Sequence, residues 1–248
     1  MPAFSEPENA MACKLVTAYP KNVPKGLPSI IATVVLFDAD TGKVSALMDG
    51  TEITTWRTAA ASYVATKHLH KETPKILAVL GAGTQAGGHA ETLDYFYKFS
   101  EIRIWNITDD KAEILESKLK EMGKPVLICK DVEECLKNAD VIVTATFSET
   151  PMVKKEWVKP GAHINAIGVS VASGHLGELE MELYKDAAIY TDSMEAAKSE
   201  LQALFDAGVP IEGMAVEDVV SAKLIYEEYK KNKKSCNLEC LEQQAIST

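Results

Sequence analysis

The sequence is sparing in the features that mark several large protein classes. Its five cysteines (Cys13, Cys129, Cys135, Cys236 and Cys240) are odd in number, scattered, and contain no Cys-x-x-Cys pair. That pattern argues against a disulfide framework and for a reduced, cytoplasmic chain. Its five histidines (His68, His70, His89, His163 and His175) show no ligand spacing, and none lies near Cys236 and Cys240, so no metal site is assigned. Basic residues are outnumbered, 26 Lys and Arg against 36 Asp and Glu, giving a formal net charge of −10. This disfavours nucleic acid or an anionic membrane as partner. The basic stretch Lys230, Lys231, Lys233 and Lys234 ends a helical pattern, where it complements the helix dipole. No apolar run reaches membrane-spanning length, and the N-terminus lacks signal-peptide form. What the 248 residues do have is 46% apolar content, enough for a substantial core in one large or two small domains.

The most informative stretch is Lys75-Ile-Leu-Ala-Val-Leu-Gly-Ala-Gly-Thr-Gln-Ala86. An apolar strand pattern, Ile76 to Leu80, enters a G-x-G-x-x-A turn, and Thr84 to Phe99 reads as a helix. Strand, glycine turn and helix N-terminus together make a dinucleotide pyrophosphate site. Gly81 permits the turn, Gly83 keeps a Cβ out of the way of the phosphates, and Ala86 is small enough for close helix–strand contact. Ala82, Thr84 and Gln85 complete the loop, whose free N–H groups and positive dipole end face the anion.

The following segments continue the unit. Glu101 to Asn106 reads as a second strand and Asp109 to Met122 as a helix with Ile114, Leu115 and Leu119 inward and Asp109 as N-cap. Val126 to Cys129, Val141 to Thr146, Ala162 to Ile167 and Ala187 to Thr191 read as third to sixth strands, with a short helix from Val132 to Asn138. Strands alternating with helices predict a parallel sheet covered on both faces. Before residue 74, Lys14 to Thr17, Ile30 to Phe37 and Val44 to Met48 read as strands of a small antiparallel sheet. Thr54 to Leu69 follows as an alanine-rich helix with Thr54 as N-cap. Met214 to Lys231 is amphipathic, with Val216, Val219, Val220 and Leu224 at helical spacing, and residues 232–248 read as a disordered tail.

Five blocks together carry a family resemblance: Met48-Asp-Gly-Thr-Glu-Ile-Thr-Thr-Trp-Arg-Thr-Ala-Ala60, Gly81-Ala-Gly-Thr-Gln85, Arg103-Ile-Trp-Asn106, Trp157-Val-Lys-Pro-Gly-Ala-His-Ile-Asn-Ala166 and Gly213-Met-Ala-Val-Glu-Asp218. In this order and spacing they resemble the ornithine cyclodeaminase/mu-crystallin family, nearer its ketimine reductase branch than its cyclodeaminases. The resemblance implies an α/β fold: a Rossmann-type, doubly wound parallel sheet (residues 71–194) inserted in a smaller α+β substrate and dimerisation domain (residues 1–70 and 195–231). Against the family pattern the chain lacks an N-terminal α/β segment and is short between Ala197 and Gly213. It therefore resembles a shortened form, with a strand edge and apolar surface left uncovered.

The resemblance also assigns roles. Lys14 matches the family's pocket lysine, suited to grip a substrate carboxylate or protonate an imine nitrogen; otherwise it is a solvated lysine beside a strand. Arg57 matches an arginine suited to hold a carboxylate or a phosphate bidentately, as catalytic or cofactor-binding residue. Asn106, Ile107 and Thr108 fall where the adenosine ribose is read, and Ile107 replaces an arginine suited to a 2′-phosphate. Thr146, Phe147 and Ile167 fall at strand ends where the nicotinamide half belongs. Thr144 is left as a strand threonine, and His175 as a loop histidine or substitute acid. Cyclodeaminases carry an aspartate soon after the glycine matched by Gly168, whereas this chain has no carboxylate before Glu178. The expected function is NADH- or NADPH-dependent reduction of cyclic ketimine carboxylates by a homodimer. The alternative is a cofactor-binding protein of little turnover, a carrier of thyroid hormone-like ligands or a lens structural protein; ornithine deamination is disfavoured.

Overall fold

The computed structural model describes residues 2–28, 30–148, 150–168, 177–191, 194, 197–198 and 201–213. The chain divides into two compact units, with the dividing point between Ile53 and Thr54. The sequence reading placed residues as far as 70 with the first sheet. The proposed helix over 214–231, the tail at 232–248 and His175 lie outside the described residues.

The first unit is an antiparallel sheet of four strands in chain order: β1 (Pro2–Ser5), β2 (Ala10–Ala18), β3 (Ile30–Phe37) and β4 (Val44–Asp49). Alternation sorts its residues to two faces. Ala10, Ala12 and Lys14 of β2 and Ala32, Val34 and Leu36 of β3 are buried, and Ile53 packs in the same cluster as Val34 and Leu36. On the other face Leu15 pairs with Thr33, Val35 with Leu47 and Thr17 with Ile31. Phe4, Leu15, Ile31 and Leu47 of that face are all exposed.

Helix α1 (Gly50–Leu69) begins four residues before the predicted start. The cap is Asp49, not Thr54: the Asp49 carboxylate accepts the Thr51 N–H at 2.6 Å, and so meets one of the helix's unpaired donors. Thr54 lies inside the helix, its carbonyl accepting the Thr58 hydroxyl.

The second unit is built on five parallel strands in the order β7-β6-β5-β8-β9: β5 (Ile76–Leu80), β6 (Glu101–Trp105), β7 (Val126–Ile128), β8 (Val141–Thr144) and β9 (His163–Ala166). Strand order runs outward one way from β5 to β7 and the other way from β8 to β9, which makes a topological switch point between β5 and β8. Both faces are covered. Leu77, Val79, Ile102, Ile104 and Val143 pack on α2 (Thr84–Tyr97) and α3 (Asp109–Glu121) through Leu93, Leu115 and Leu119. Ala78, Leu80 and Ile142 pack on the other side with Cys135 and Leu136 of α4 (Val132–Leu136), Leu183 of α5 (Met181–Asp186) and Leu204 of α6 (Gln202–Asp206).

Three details depart from the sequence reading. The expected sixth strand, β10 (Ile189–Thr191), pairs in parallel with β11 (Ile211–Gly213) as a separate two-stranded ribbon, because β11 supplies the partner edge. The inward face of α3 is Ala112, Leu115 and Leu119, while Ile114 is exposed, one residue round the helix from Leu115. The N-cap of α3 is Thr108, with Asp109 in the first turn.

Candidate functional site: a dinucleotide cradle at the switch point

Gly81 ends β5 with φ +113°, a conformation that L side chains rarely adopt, and a Cβ there would lie 2.5 Å from the Ala145 carbonyl oxygen. Its N–H donates to the Trp105 carbonyl at 2.8 Å, and Ala145 N–H donates to the Leu80 carbonyl at 2.8 Å. The turn is thereby tied to the carboxyl ends of both neighbouring strands. Gly83 differs: its backbone is ordinary extended chain (φ −86°, ψ −173°), and a Cβ there would meet nothing within 4 Å. The protein does not need a glycine at that point, but a ligand approaching the backbone does. Gly83 is also the N-cap of α2 and has no side chain with which to cap it, and among the described residues no side chain accepts from the first N–H groups of this 14-residue helix. Open ground in front of uncapped amides is what a pyrophosphate requires, and the residues Gly81 to Gln85 fit that group. Ala86, fully buried, packs against the sheet. Among the described residues, the buried Gln85 Oε1 has no hydrogen-bond partner.

Helix α1 lies close against α2. Thr55, Ala59, Ser62 and Thr66 form a buried stripe of small residues at helical spacing. A Cβ on Gly88 would come within 2.5 Å of the Thr55 side chain. The sequence reading did not single out Gly88, whose signal is the Gly87-Gly88 pair inside a helix pattern.

A polar chain runs between these helices. His89 is fully buried; its Nδ1 contacts the Gln85 carbonyl at 2.7 Å and its Nε2 the Ser62 hydroxyl at 2.9 Å. A carbonyl only accepts, so Nδ1 carries the proton and Nε2 accepts from Ser62. Burial, offset in part by the Gln85 bond and reinforced by the charge of Arg57, pulls His89 down to about 4. Arg57 therefore stands on α1 within electrostatic reach of α2, in the unit that carries the glycine turn. Farther along, the Thr66 hydroxyl donates to the Ser62 carbonyl, and Asn165 Nδ2 donates to Thr66 Oγ1 at 3.1 Å, reaching β9.

The strand ends at the switch point are held by a residue that the sequence reading gave no role. Glu178 is 2% exposed. Its Oε1 accepts from the N–H of Thr146 at 2.7 Å and from the Thr146 hydroxyl, and its Oε2 accepts from Gly168 N–H at 3.1 Å. One carboxylate thus ties the segment after β8 to the segment after β9. Its charge, after burial, helps hold the Tyr184 phenol up at about 12. The available signal was position: Glu178 is the first carboxylate after Gly168. Strand β8 ends at Thr144, so Thr146 and Phe147 lie in the loop beyond it, and Phe147 is 80% exposed. Ile167 N–H donates to the Thr144 carbonyl at 2.8 Å, beside the same loop.

At the end of β6, Asn106 Nδ2 donates to both the carbonyl and the hydroxyl oxygens of Thr108, each at 2.9 Å. Ile107 is 86% exposed. Second-unit residues Arg57, Gly81 to Gln85, Asn106 to Thr108, Thr146, Phe147 and Ile167 thus sit on α1 or at the carboxyl edge of one sheet. Lys14 belongs to the first unit, where it is 2% exposed on β2 and pairs with Val34. Among the described residues no cluster of three or more His, Cys, Asp or Glu could hold a metal, and no helix is long and apolar enough to cross a membrane.

Known proteins are similar to this chain in sequence and fold. A model of the ornithine cyclodeaminase/mu-crystallin family matches residues 1–205. Ketimine reductase mu-crystallin of Rattus norvegicus is 40% identical over 257 residues, covering 94% of this chain and 80% of that protein. Among solved structures, Thermococcus litoralis Delta(1)-pyrroline-2-carboxylate reductase, in complex with NADH and L-proline, superposes with a TM-score of 0.88 at 29% identity, covering 96% of this chain and 84% of that one. An archaeal alanine dehydrogenase dimer with bound NAD superposes with a TM-score of 0.83 at 30% identity, covering 95% and 82%. These similarities run over nearly the whole chain, and the chain belongs to the ornithine cyclodeaminase/mu-crystallin family.

Proposed function

We propose that this chain is an NAD(P)H-dependent reductase of cyclic ketimine carboxylates. The observation that carries the proposal is the cradle of uncapped amides over Gly83, in a chain 40% identical to a ketimine reductase. The bound dinucleotide supplies a hydride for the C=N carbon. The protein's part is to hold, orient and protonate. The residues Gly81 to Gln85 take the pyrophosphate. Thr146, Phe147 and Ile167, braced by Glu178, form the seat for the nicotinamide half. Arg57 grips the substrate carboxylate, and a water gives the nitrogen its proton.

Glu178 also bears on the competing chemistry. Cyclodeamination needs a base near the substrate amine, and the first carboxylate after Gly168 has both oxygens engaged by backbone and hydroxyl donors. It braces the fold and is not a free base, which favours reduction over deamination. The reduced, unpaired thiols of Cys129 and Cys135 are compatible with a cytoplasmic enzyme. The exposed apolar face of the first sheet favours a homodimer formed through it, a second copy covering Phe4, Leu15, Ile31 and Leu47.

The test is direct. Purified protein with a pyrroline- or piperideine-type ketimine carboxylate should consume dihydronicotinamide absorbance, and omission of the ketimine should abolish the consumption. Cofactor binding without turnover on any cyclic ketimine would overturn the enzyme reading and favour a carrier of small ligands, thyroid hormone-like molecules among them.

A further inference from the structure

From the loop after β6 we infer that this chain selects NADH over NADPH, and that Asn106 and Ile107, with the two aspartates that follow, set the choice. The inference rests on the dinucleotide site proposed above, not on the identity of the substrate. In a βαβ nucleotide unit the adenosine ribose is read just beyond the second strand, here β6. NADH presents a 2′-hydroxyl there and needs an acceptor; NADPH presents a 2′-phosphate and needs donors and positive charge.

The loop is built for the first demand. The Thr108 carbonyl only accepts, so the Asn106 atom 2.9 Å from it must be the amide nitrogen, and the side-chain orientation is fixed by chemistry. That nitrogen also bonds the Thr108 hydroxyl at 2.9 Å, which spends the donor half of the amide inside the loop. Oδ1 accepts nothing from the described residues and is the half left to offer. The amide thus presents an acceptor: it receives a ribose hydroxyl and repels a phosphate oxygen.

The surroundings agree. Ile107, next in sequence and 86% exposed, puts an aliphatic side chain where a cation would be needed. The N-terminal end of α3 would attract an anion through its dipole, but Asp109 and Asp110 already occupy its first turn. From Asn106 to Glu113 a single lysine, Lys111, stands against Asp109, Asp110 and Glu113. Arg103, on β6 itself, is turned to other partners: its Nε bonds Glu101, and its terminal nitrogen bonds the carbonyls of Glu134 and Lys137. The Thr108 hydroxyl keeps one proton to donate, and a single neutral donor does not balance a phosphate.

The experiment measures binding, not turnover. Energy transfer from protein tryptophan to dihydronicotinamide gives dissociation constants for NADH and NADPH, and adenosine 5′-diphosphate against adenosine 2′,5′-bisphosphate repeats the comparison as displacing fragments. NADH should bind about tenfold or more tightly, the scale of one unfavourable contact with a charged group. Ile107→Arg should move the ratio toward NADPH by about 10- to 100-fold, and Asp109→Asn with Asp110→Asn should move it the same way by a smaller factor. Circular dichroism and retained NADH binding establish that the variants are folded. Equal affinities, or tighter NADPH, in the parent protein would overturn the selectivity while leaving the dinucleotide site intact. Binding of neither cofactor would overturn the site itself, and the inference with it.

Discussion

Gly81 and Gly83 are two residues apart and answer to different demands. The first is required by the protein: its φ is +113°, and a Cβ would strike the Ala145 carbonyl. The second answers to the proposed ligand, because among the described residues a Cβ there meets nothing within 4 Å. Gly81→Ala should therefore lower stability by more than about 1 kcal/mol, a strained backbone being added to a clash. Gly83→Val should leave the melting temperature nearly unchanged and remove cofactor binding. Thermal melts and fluorescence titration of the two variants separate these outcomes; a Gly83→Val protein that binds as well as the parent would refute the cradle. His89 makes the second prediction at this scale. Its folded value is about 4, below the ordinary 6.5, so the unfolded chain takes up the proton first as pH falls. Its contribution is complete above about pH 6.5 and is lost as pH drops through that value towards about 4, a change of about 3 kcal/mol in unfolding free energy. Urea titrations across that range should show this fall in the parent and a shallower one in His89→Gln.

At the scale of the element, helix boundaries follow caps more than alanine content. Helix α1 begins where Asp49 catches the Thr51 amide, at the end of a β-strand, and this single contact moves its start ahead of the alanine-rich run. Asp49→Ala should cost about 1 kcal/mol, read from chemical denaturation, while Thr54→Ala should cost no cap energy. The same reasoning explains α3. The dipeptide Asp109-Asp110 reads as a cap, yet the chain turns one residue earlier, at Thr108, because Asn106 holds Thr108 from behind. The five-stranded sheet was legible as elements, since Leu77 to Leu80 and Val141 to Val143 are continuous apolar runs of the kind buried on both faces. The fate of Ile189 to Thr191 was not, since a three-residue apolar run does not say which edge it will join.

For the whole molecule, the first unit presents a sheet with one buried face and one apolar exposed face. Alternation in β2 and β3 is apolar on both sides, which a sheet facing water on one side does not show. A second copy is the occupant proposed for that face. Leu15→Lys with Leu47→Lys, both on that exposed face, should give a folded monomer by analytical ultracentrifugation where the parent sediments as a dimer. A parent that is monomeric at micromolar concentration, or a double variant that still dimerises, would refute this.

Local pattern determined the nucleotide unit, because strand, glycine turn and helix lie within a few residues of each other and their spacing is itself the signal. The same holds for the family, since five blocks in register survive as text. Tertiary structure decided what depends on residues distant in the chain. Glu178 is 32 residues from the Thr146 it braces, and His89 is 27 from the Ser62 that fixes its tautomer. Even within one short loop, the sequence shows Asn106 only as an amide with a donor half and an acceptor half. Only the folded loop, by taking the amide nitrogen for the Thr108 carbonyl and hydroxyl, leaves the oxygen as the half that no described residue engages. Sequence supplies donors and acceptors, and folding spends some of them internally; recognition is left to those that remain.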